Sequence, residues 1–235
     1  MRRGQLKAKS SRSKKKEPAP ARGAVKRKTT KSVRIIAGEF KGLRLEAPGA
    51  DLAHVMGERE RGAVFNALFS LGTLEGAHVL DCFAGSGALG FEALSRGAMT
   101  VDFVENNAAV RAVIKRNAAK TDAKSRVKVF TKQPNSDGVA CARRHGADAP
   151  RSQAAAFRDA SLDYFCENYD LIFSDAPYND PQWELVAKLP EMLARGGRLV
   201  ISHAKTSPIP ADVVAGLRNV YTGTFAGAQI DIFVK

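Results

Sequence analysis

An acid, a proline and an aromatic ring follow one another at the end of a predicted strand. The apolar run "YDLIF" leads directly into Asp175, Ala176, Pro177 and Tyr178. A carboxylate and a backbone carbonyl can hold the two hydrogens of an exocyclic base amine, whose lone pair is otherwise delocalised into the ring. Pro177 restricts Ala176 to extended conformations, and Tyr178 can stack on a base taken out of its helix. These four residues are therefore candidate catalytic residues.

A glycine-rich loop, "LDCFAGSGALG", follows an earlier predicted strand and opens a helix. Gly85, Gly87 and Gly90 have the G-x-G-x-x-G spacing, which lets the backbone turn sharply and a ligand approach the helix N-terminus. Glu105 ends the next predicted strand, 24 residues after Asp81. A carboxylate at that position can accept hydrogen bonds from ribose hydroxyls. The loop and the acid together predict a nucleoside-containing cofactor.

Asp81 helps to distinguish between two cofactors that use this geometry, a dinucleotide and S-adenosylmethionine. A carboxylate at the tip of the first strand would oppose an approaching pyrophosphate, whereas it suits a ligand that carries an ammonium and a sulfonium. The alternative role for Asp81 is a cap on the following turn. The acid favours S-adenosylmethionine.

The elements that position these residues follow from hydrophobic periodicity. Strand and helix patterns alternate from residue 77 to 130, and two further strands, a helix over 181–196 and a closing two-stranded hairpin follow. Such alternation predicts a parallel sheet with helices on both faces, in which the end of "YDLIFSD" lies beside the end of "VLDCFAG". Residues 33–49 predict a small hairpin, and residues 59–72 an amphipathic helix.

The first 32 residues carry nearly all of the net charge of +13. They hold 13 of the 37 lysines and arginines but only one of the 24 acids, and they contain no aromatic residue. Ordering them would cost conformational entropy with no core to compensate. We expect a disordered basic tail that binds nucleic-acid phosphates without reading sequence. A solubilising tail is the alternative.

Three domains or segments are therefore expected: the tail at 1–32, a hairpin and helix extension at 33–76, and a main domain at 77–235 with an inserted loop at about 131–152. No apolar run approaches the roughly 18 residues of a membrane-spanning helix, and no apolar signal-peptide core follows the basic start. A cytoplasmic protein without membrane contact is predicted. The three cysteines and four histidines are scattered, so neither a disulfide framework nor a metal site is expected.

The order of the motifs resembles the RsmD family, which methylates the exocyclic N2 of one guanine in small-subunit (16S) ribosomal RNA. The resemblance covers roughly residues 33–235 and rests on "RIIAGEFKGLRL", "LDCFAGSGALGFEALSRGA", "VDFVEN" and "YDLIFSDAPY". It implies a Rossmann-like α/β fold of the class I S-adenosylmethionine-dependent methyltransferases, with a mostly parallel seven-stranded sheet that ends in an antiparallel hairpin. It also implies ribosomal RNA or the small ribosomal subunit as the substrate, and we expect the protein to act as a monomer. The implied cofactor-binding residues are Asp81, Phe83, Ala84, Gly85, Gly87, Glu105, Asn106 and Asp159.

Three features depart from the family pattern. The family usually has two prolines where this chain has Ala176 and Pro177, and "HVM" at 54–56 replaces an R-P-T segment. The acid that normally lies near the adenine of the cofactor is expected soon after the third strand of the main domain. Its best candidate here, Asp159, comes only after the inserted loop, and a helix cap is an equal alternative for it.

Three other functions remain open. An adenine-N6 methyltransferase needs the same acid and aromatic motif, but it would usually carry a separate target-recognition region, for which only the hairpin and the 131–152 loop are candidates. A nicotinamide-dependent oxidoreductase would leave "DAPY" and the basic tail without a role. A non-catalytic RNA-binding assembly factor that kept the cofactor fold is compatible with Ala176.

Overall fold

A small hairpin and one helix precede the main sheet. The computed structural model describes residues 1, 32–49, 56–131, 168–225 and 227–235. Strands β1 (Ser32–Arg34) and β2 (Arg44–Glu46) pair antiparallel, and helix α1 (Glu58–Ser70) follows them. Val64, Phe65 and Leu68 are fully buried on one face of α1, as the amphipathic spacing predicts.

Seven strands form one sheet behind this extension. In chain order they are β3 (His78–Cys82), β4 (Thr100–Val104), β5 (Val127–Phe130), β6 (Tyr169–Ser174), β7 (Leu193–Ala204), β8 (Arg218–Thr224) and β9 (Ala228–Val234). Their order across the sheet is β5-β4-β3-β6-β7-β9-β8; the pairings from β5 to β7 are parallel, and β9 is antiparallel to both of its neighbours. The mostly parallel sheet and its antiparallel end are confirmed.

Apolar side chains alternate between the two faces of the sheet and form two cores. Val79 and Phe103 belong to the core that also contains the apolar faces of α1 and of α2 (Ala88–Ser95). Leu80 and Cys82 point to the opposite core. Helix α3 (Ala108–Lys120) connects β4 to β5. Burial on both faces explains why the central strands read as continuous apolar runs rather than as alternating ones.

The predicted helix over 181–196 is wrong. The segment forms two short helices, α4 (Trp183–Val186) and α5 (Leu189–Met192), and β7 begins directly afterwards at Leu193. Pro190 has no N–H to donate to the carbonyl of Val186, so a continuous helix would lose a hydrogen bond and meet a clash there. Proline is tolerated in the first turn of a new helix, and it lies in that position in α5.

A buried carboxylate joins the N-terminal extension to the sheet domain. Glu92, in α2, is fully buried and accepts hydrogen bonds from the backbone N–H groups of Ile36 at 2.8 Å and Ala37 at 3.1 Å. Its carboxylate also accepts from Nε of Arg96 at 2.8 Å and lies 3.8 Å from Nε of Arg61, which is 1% exposed. The end of the first hairpin strand is thus held by a residue of the helix that follows the glycine loop.

Several sequence predictions fall outside the described residues. These are the basic tail, nearly all of the 131–152 loop, His54 and Val55 of the "HVM" segment, and Asp159. Within the ranges that are described, no helix is both long and apolar enough to cross a bilayer. In the same ranges, no three His, Cys, Asp or Glu side chains come together as ligands for a metal ion.

Candidate active site

Three acids meet at the carboxyl edge of the sheet, where the strand order reverses. Asp81 near the end of β3 pairs in register with Phe103 of β4 on one side and with Phe173 of β6 on the other. Glu105 and Asp175 directly follow the ends of those two flanking strands. The predicted neighbourhood of the β3 and β6 ends is confirmed by this pairing. Open parallel sheets bind ligands at such an edge.

Asp81 is a buried acid with one oxygen left over. It is 1% exposed, and its Oδ2 accepts a hydrogen bond from the backbone N–H of Gly90 at 2.9 Å. Its Oδ1 is buried without a hydrogen-bond partner among the described residues. Burial raises the pKa of Asp81 well above its ordinary value; the Gly90 hydrogen bond opposes this, and the carboxylates of Asp175 and Glu105 add to it. One oxygen caps α2 from the side, and the other is suited to a cationic ligand group.

Two glycines of the loop lie where a larger residue would clash with the core. Gly87, the N-cap of α2, has φ of +78°, a region that disfavours side chains, and a Cβ there would lie 2.8 Å from the ring of Phe91. A Cβ on Gly90 would come within 2.3 Å of the ring of Phe103. Gly90 therefore allows α2 to pack on β4, whereas Gly87 allows the turn itself. Phe83 is not a glycine but also has a left-handed φ of +60°, a strain of about 1–3 kcal/mol that concentrates at ligand sites.

The carboxylate of Glu105 is held at the tip of β4 by the backbone. It accepts from the N–H of Gly85 at 3.1 Å and from the N–H of Asn107 at 2.8 Å. Arg111 donates to the carbonyls of Glu105 at 2.9 Å and Asn106 at 2.6 Å. A carboxylate has about four acceptor positions, so Glu105 keeps capacity for two hydroxyl donors. Asn106 contributes its backbone to this turn, and its side chain is exposed.

The segment after β6 turns back towards the sheet. Ala176 is 5% exposed and Pro177 is exposed. The N–H of Asp180 donates to the carbonyl of Pro177 at 2.9 Å, which closes a turn with Tyr178 inside it. The hydroxyl of Tyr178 lies 2.9 Å from Oγ of Ser202.

Tyr178 presents a neutral phenol to the site. Partial burial raises its pKa above the ordinary value near 10, the hydrogen bond with Ser202 opposes this, and the carboxylates of Asp175 and Glu60 add to it. Glu60 lies in the first turn of α1, where its carboxylate accepts from the N–H of Gly57 at 2.9 Å. The N-terminal end of α1 therefore belongs to the surroundings of Tyr178.

The structure brings together the glycine loop, Asp81, Glu105 and the segment from Asp175 to Tyr178. Sequence reasoning missed Ser202, whose hydroxyl contacts that of Tyr178 from β7, and Glu60 of α1, whose charge adds to the rise in the pKa of Tyr178 that burial causes. Ser202 interrupts the apolar strand "GRLVISHA", a signal that a polar partner is present on that face, but nothing in the pattern names the partner.

The family is decided by a comparison that covers most of the chain. The family model described as conserved hypothetical protein 95, which is the RsmD family, matches residues 33–233. This chain belongs to the RsmD family. The resemblance that the motifs indicate is thereby confirmed.

Named relatives of this RsmD-family chain include two bacterial proteins called "Ribosomal RNA small subunit methyltransferase D". The one from Escherichia coli (strain K12) is 40% identical over 87 residues, which are 37% of this chain and 43% of that protein. The one from Haemophilus influenzae (strain ATCC 51907) is 30% identical over 152 residues, 63% of this chain and 64% of that protein. The chain thus spans less than two thirds of the length of these curated relatives.

The fold is shared with a solved structure. The Escherichia coli protein yhhF, named as a methyltransferase, superposes with a TM-score of 0.66 at 22% identity and covers 87% of this chain and 98% of its own. At this identity the likeness shows the fold alone, and the Rossmann-like α/β fold predicted for this RsmD-family member is confirmed.

Proposed function

We propose that this RsmD-family protein is an S-adenosylmethionine-dependent methyltransferase that modifies the exocyclic N2 of a guanine in 16S ribosomal RNA. The observation that carries the proposal is the placement of Asp81 and Asp175 at the ends of two paired strands, β3 and β6. One acid suits a cationic cofactor, and the other suits an amine that is to be alkylated. The names of the relatives support ribosomal RNA as the substrate class.

The residues around the glycine loop fit the cofactor. The buried Oδ1 of Asp81 has no partner among the described residues, and an ammonium or sulfonium would stabilise its charge. Glu105 faces the loop with free acceptor capacity for ribose hydroxyls, and Gly87 permits the left-handed turn that brings the loop to the start of α2. When bound, S-adenosylmethionine supplies a methyl group on a sulfonium, which is already a strong electrophile. The residues that would hold it are Asp81, Phe83, Ala84, Gly85, Gly87, Glu105 and Asn106, with Asp159 as a further candidate.

The segment after β6 would prepare the amine. The carboxylate of Asp175 accepts one N2 hydrogen and the carbonyl of Ala176 accepts the other, which moves the nitrogen lone pair out of conjugation with the base. The ring of Tyr178 stacks on the base. The carboxylate of Asp175 can also take the proton that N2 releases when it gains a methyl group and the sulfonium becomes a neutral thioether. Positioning and acceptor placement supply most of the rate.

The deciding experiment identifies the modified nucleoside. The protein is incubated with labelled S-adenosylmethionine and either 16S ribosomal RNA or small subunits, and the digested RNA is analysed by mass spectrometry. We expect N2-methylguanosine. N6-methyladenosine would replace the proposal with adenine methylation, and cofactor binding without any methylated product would indicate a non-catalytic RNA-binding factor.

The basic tail is proposed to strengthen RNA binding without choosing the site. Deletion of residues 2–31 is expected to weaken binding to 16S RNA at least tenfold at low salt, because the variant loses its phosphate contacts and the counterion release that accompanies them. Each phosphate contact contributes about 0.7–0.9 to the slope of log K against log salt. The slope should become shallower, and S-adenosylmethionine affinity should not change. Filter binding across a salt series measures both quantities.

A tail of the same length with its lysines and arginines replaced by glutamine is the matched control, since it separates charge from chain length. It should behave like the deletion. Equal slopes for the wild-type and glutamine tails would contradict phosphate binding by the tail. Within the same proposal, the enzyme acts in the cytoplasm as a monomer.

The Asp81→Asn variant is expected to be more stable than the wild type but to bind S-adenosylmethionine roughly 10-fold to 100-fold more weakly, since a charge-assisted contact is worth about 1.5–3 kcal/mol. Because the folded-state pKa of Asp81 is raised, its ionisation destabilises the folded protein above the unfolded-state pKa. The stability gain of the asparagine variant should grow as the pH rises above the unfolded-state pKa and level off above the raised pKa of Asp81. Thermal melts and calorimetry measure both effects.

Cofactor affinity should also depend on the titration of Asp81. In the wild type it falls as Asp81 takes up its proton, and in Asp81→Asn this pH dependence is absent. Asp122→Asn makes the same chemical change at an exposed turn and should change neither quantity. Unaltered cofactor affinity in Asp81→Asn would show that Asp81 is only a helix cap.

A further inference from the structure

Tyr178 is fixed at both ends of its side chain. Its backbone lies in the turn closed by the hydrogen bond between Asp180 and Pro177 at 2.9 Å. Its hydroxyl, at the far end of the ring, lies 2.9 Å from Oγ of Ser202. A contact at the tip of an aromatic side chain restricts rotation about its first side-chain torsion, which decides where the ring lies, so the position of the ring depends on Ser202.

Ser202 belongs to a rigid part of the sheet. Ser174, the last residue of β6, pairs with Ile201, which places Ser202 level with Asp175. On the other side Ser202 pairs with Ile230 of β9, and its own side chain is 4% exposed. The strand therefore carries this hydroxyl to the height at which β6 ends and the catalytic segment begins.

The next residue of β7 anchors the strand on the opposite face. Nε2 of His203 lies 3.0 Å from the carboxylate of Asp231, and its Nδ1 lies 2.9 Å from the carbonyl of Ser207. His203 and Asp231 are each 3% exposed. With neighbouring residues held on both faces, the Ser202 hydroxyl has little freedom to follow Tyr178 if the turn moves.

Pro177 restricts the backbone of Ala176 to extended conformations. Ala176 is 5% exposed, so its small side chain is packed against the protein. The hydrogen bond between Tyr178 and Ser202 ties this segment back to the sheet at a point beyond the proline.

We propose that Ser202 is a positioning residue that fixes, through the Tyr178 hydroxyl, the position of the ring on which the target base stacks. The inference rests on the proposed function, in which Tyr178 receives the guanine. Ser202 itself touches neither the base nor the cofactor, and its effect reaches the reaction through Tyr178.

Two single variants and their combination test the inference in full-length protein. Ser202→Ala and Tyr178→Phe each remove one half of the hydrogen bond and keep the β-strand and the ring. Each is expected to lower kcat for RNA methylation about three- to tenfold, the effect of one hydrogen bond, with unchanged S-adenosylmethionine affinity. The double variant should lose no more than either single one, because both remove the same contact. Ser202→Thr keeps the hydroxyl and should retain most of the rate.

The matched control is Ser70→Ala, which removes an exposed serine hydroxyl that bonds to the carbonyl of Asn66 at the end of α1. It should leave kcat unchanged. Losses that multiply in the double variant, full activity in Ser202→Ala, or a threonine variant as slow as the alanine one would each overturn the proposal.

A readout without turnover separates this inference from the proposed function. The chain has four tyrosines, and in protein with ¹³C-labelled tyrosine the Tyr178 signal is the one that disappears in Tyr178→Phe. Ser202→Ala is expected to shift and broaden that signal, and Ser70→Ala to leave it in place. An unchanged signal in Ser202→Ala overturns the positioning role. Absence of N2-methylguanosine with wild-type protein overturns the proposed function instead.

Discussion

Replacement of Asp175 by alanine should lower the rate of methyl transfer by about 100-fold to 1,000-fold, as removal of one preorganised electrostatic group does in other enzymes. Asp175 directly follows β6, and its carboxylate is close enough to Asp81 to raise the pKa of that buried acid. Under the proposed function it holds one hydrogen of the guanine amine and takes the released proton. Single-turnover assays with saturating S-adenosylmethionine would measure this loss.

Cofactor binding is the internal control of that experiment. Asp175→Ala should bind S-adenosylmethionine at least as well as the wild type. The substitution removes a negative charge near Asp81 and so favours the ionised form of Asp81, which is the form proposed to contact the cofactor. Asp180→Ala changes an exposed acid in the same segment and should keep most of the activity. If Asp175→Ala transferred methyl groups at the wild-type rate, the amine would have to be held by other acceptors.

Replacement of Glu92 by alanine should lower the free energy of unfolding by about 3–5 kcal/mol, the usual cost of leaving a buried charge without its partner. The guanidinium of Arg61 is 1% exposed, and burial lowers its pKa while Glu92 opposes that shift. The variant also leaves the N–H groups of Ile36 and Ala37 without their carboxylate. For a domain of this size the loss corresponds to a melting temperature lower by roughly 6–20 °C.

An exposed ion pair provides the comparison for Glu92. Glu58 bonds to Arg34 on the surface, with about half of each side chain exposed, and Glu58→Ala should cost at most about 1 kcal/mol. The double variant Arg61→Met/Glu92→Leu should recover part of the loss, because apolar residues of similar volume need no partner. The free energy of unfolding of each variant is measured by denaturant unfolding. Similar small losses of this free energy in Glu92→Ala and Glu58→Ala would contradict the bridging role of Glu92.

The strands and the acids at their ends could be predicted because their signals are local. "VLDCFAG" and "YDLIFSD" combine a buried apolar run with a polar end, and parallel topology brings such ends to one edge. The helix over 181–196 was predicted wrongly because its apolar spacing outweighed one proline, although Pro190 removes a hydrogen bond that the helix interior requires.

The roles of Glu92 and Ser202 could not be predicted because they exist only in three dimensions. Glu92 stands in the helical pattern "GALGFEALSRG" as an ordinary polar residue, yet its partners are 55 and 56 residues away in the sequence. Ser202 and Tyr178 are 24 residues apart and meet across the end of the sheet. Their pairing depends on strand register, which one sequence does not specify.

The bridge from Glu92 to Ile36 and Ala37 also limits how this protein can diversify. The hairpin is not an interchangeable module, because its backbone N–H groups donate to Glu92 of α2, the helix that follows the glycine loop. Insertions or deletions at residues 36 and 37 would displace the two N–H groups from Glu92, which is buried together with Arg61. Variation in what the hairpin contacts is therefore expected at exposed side chains such as Arg34 and Arg44, where a substitution leaves the shared backbone unchanged.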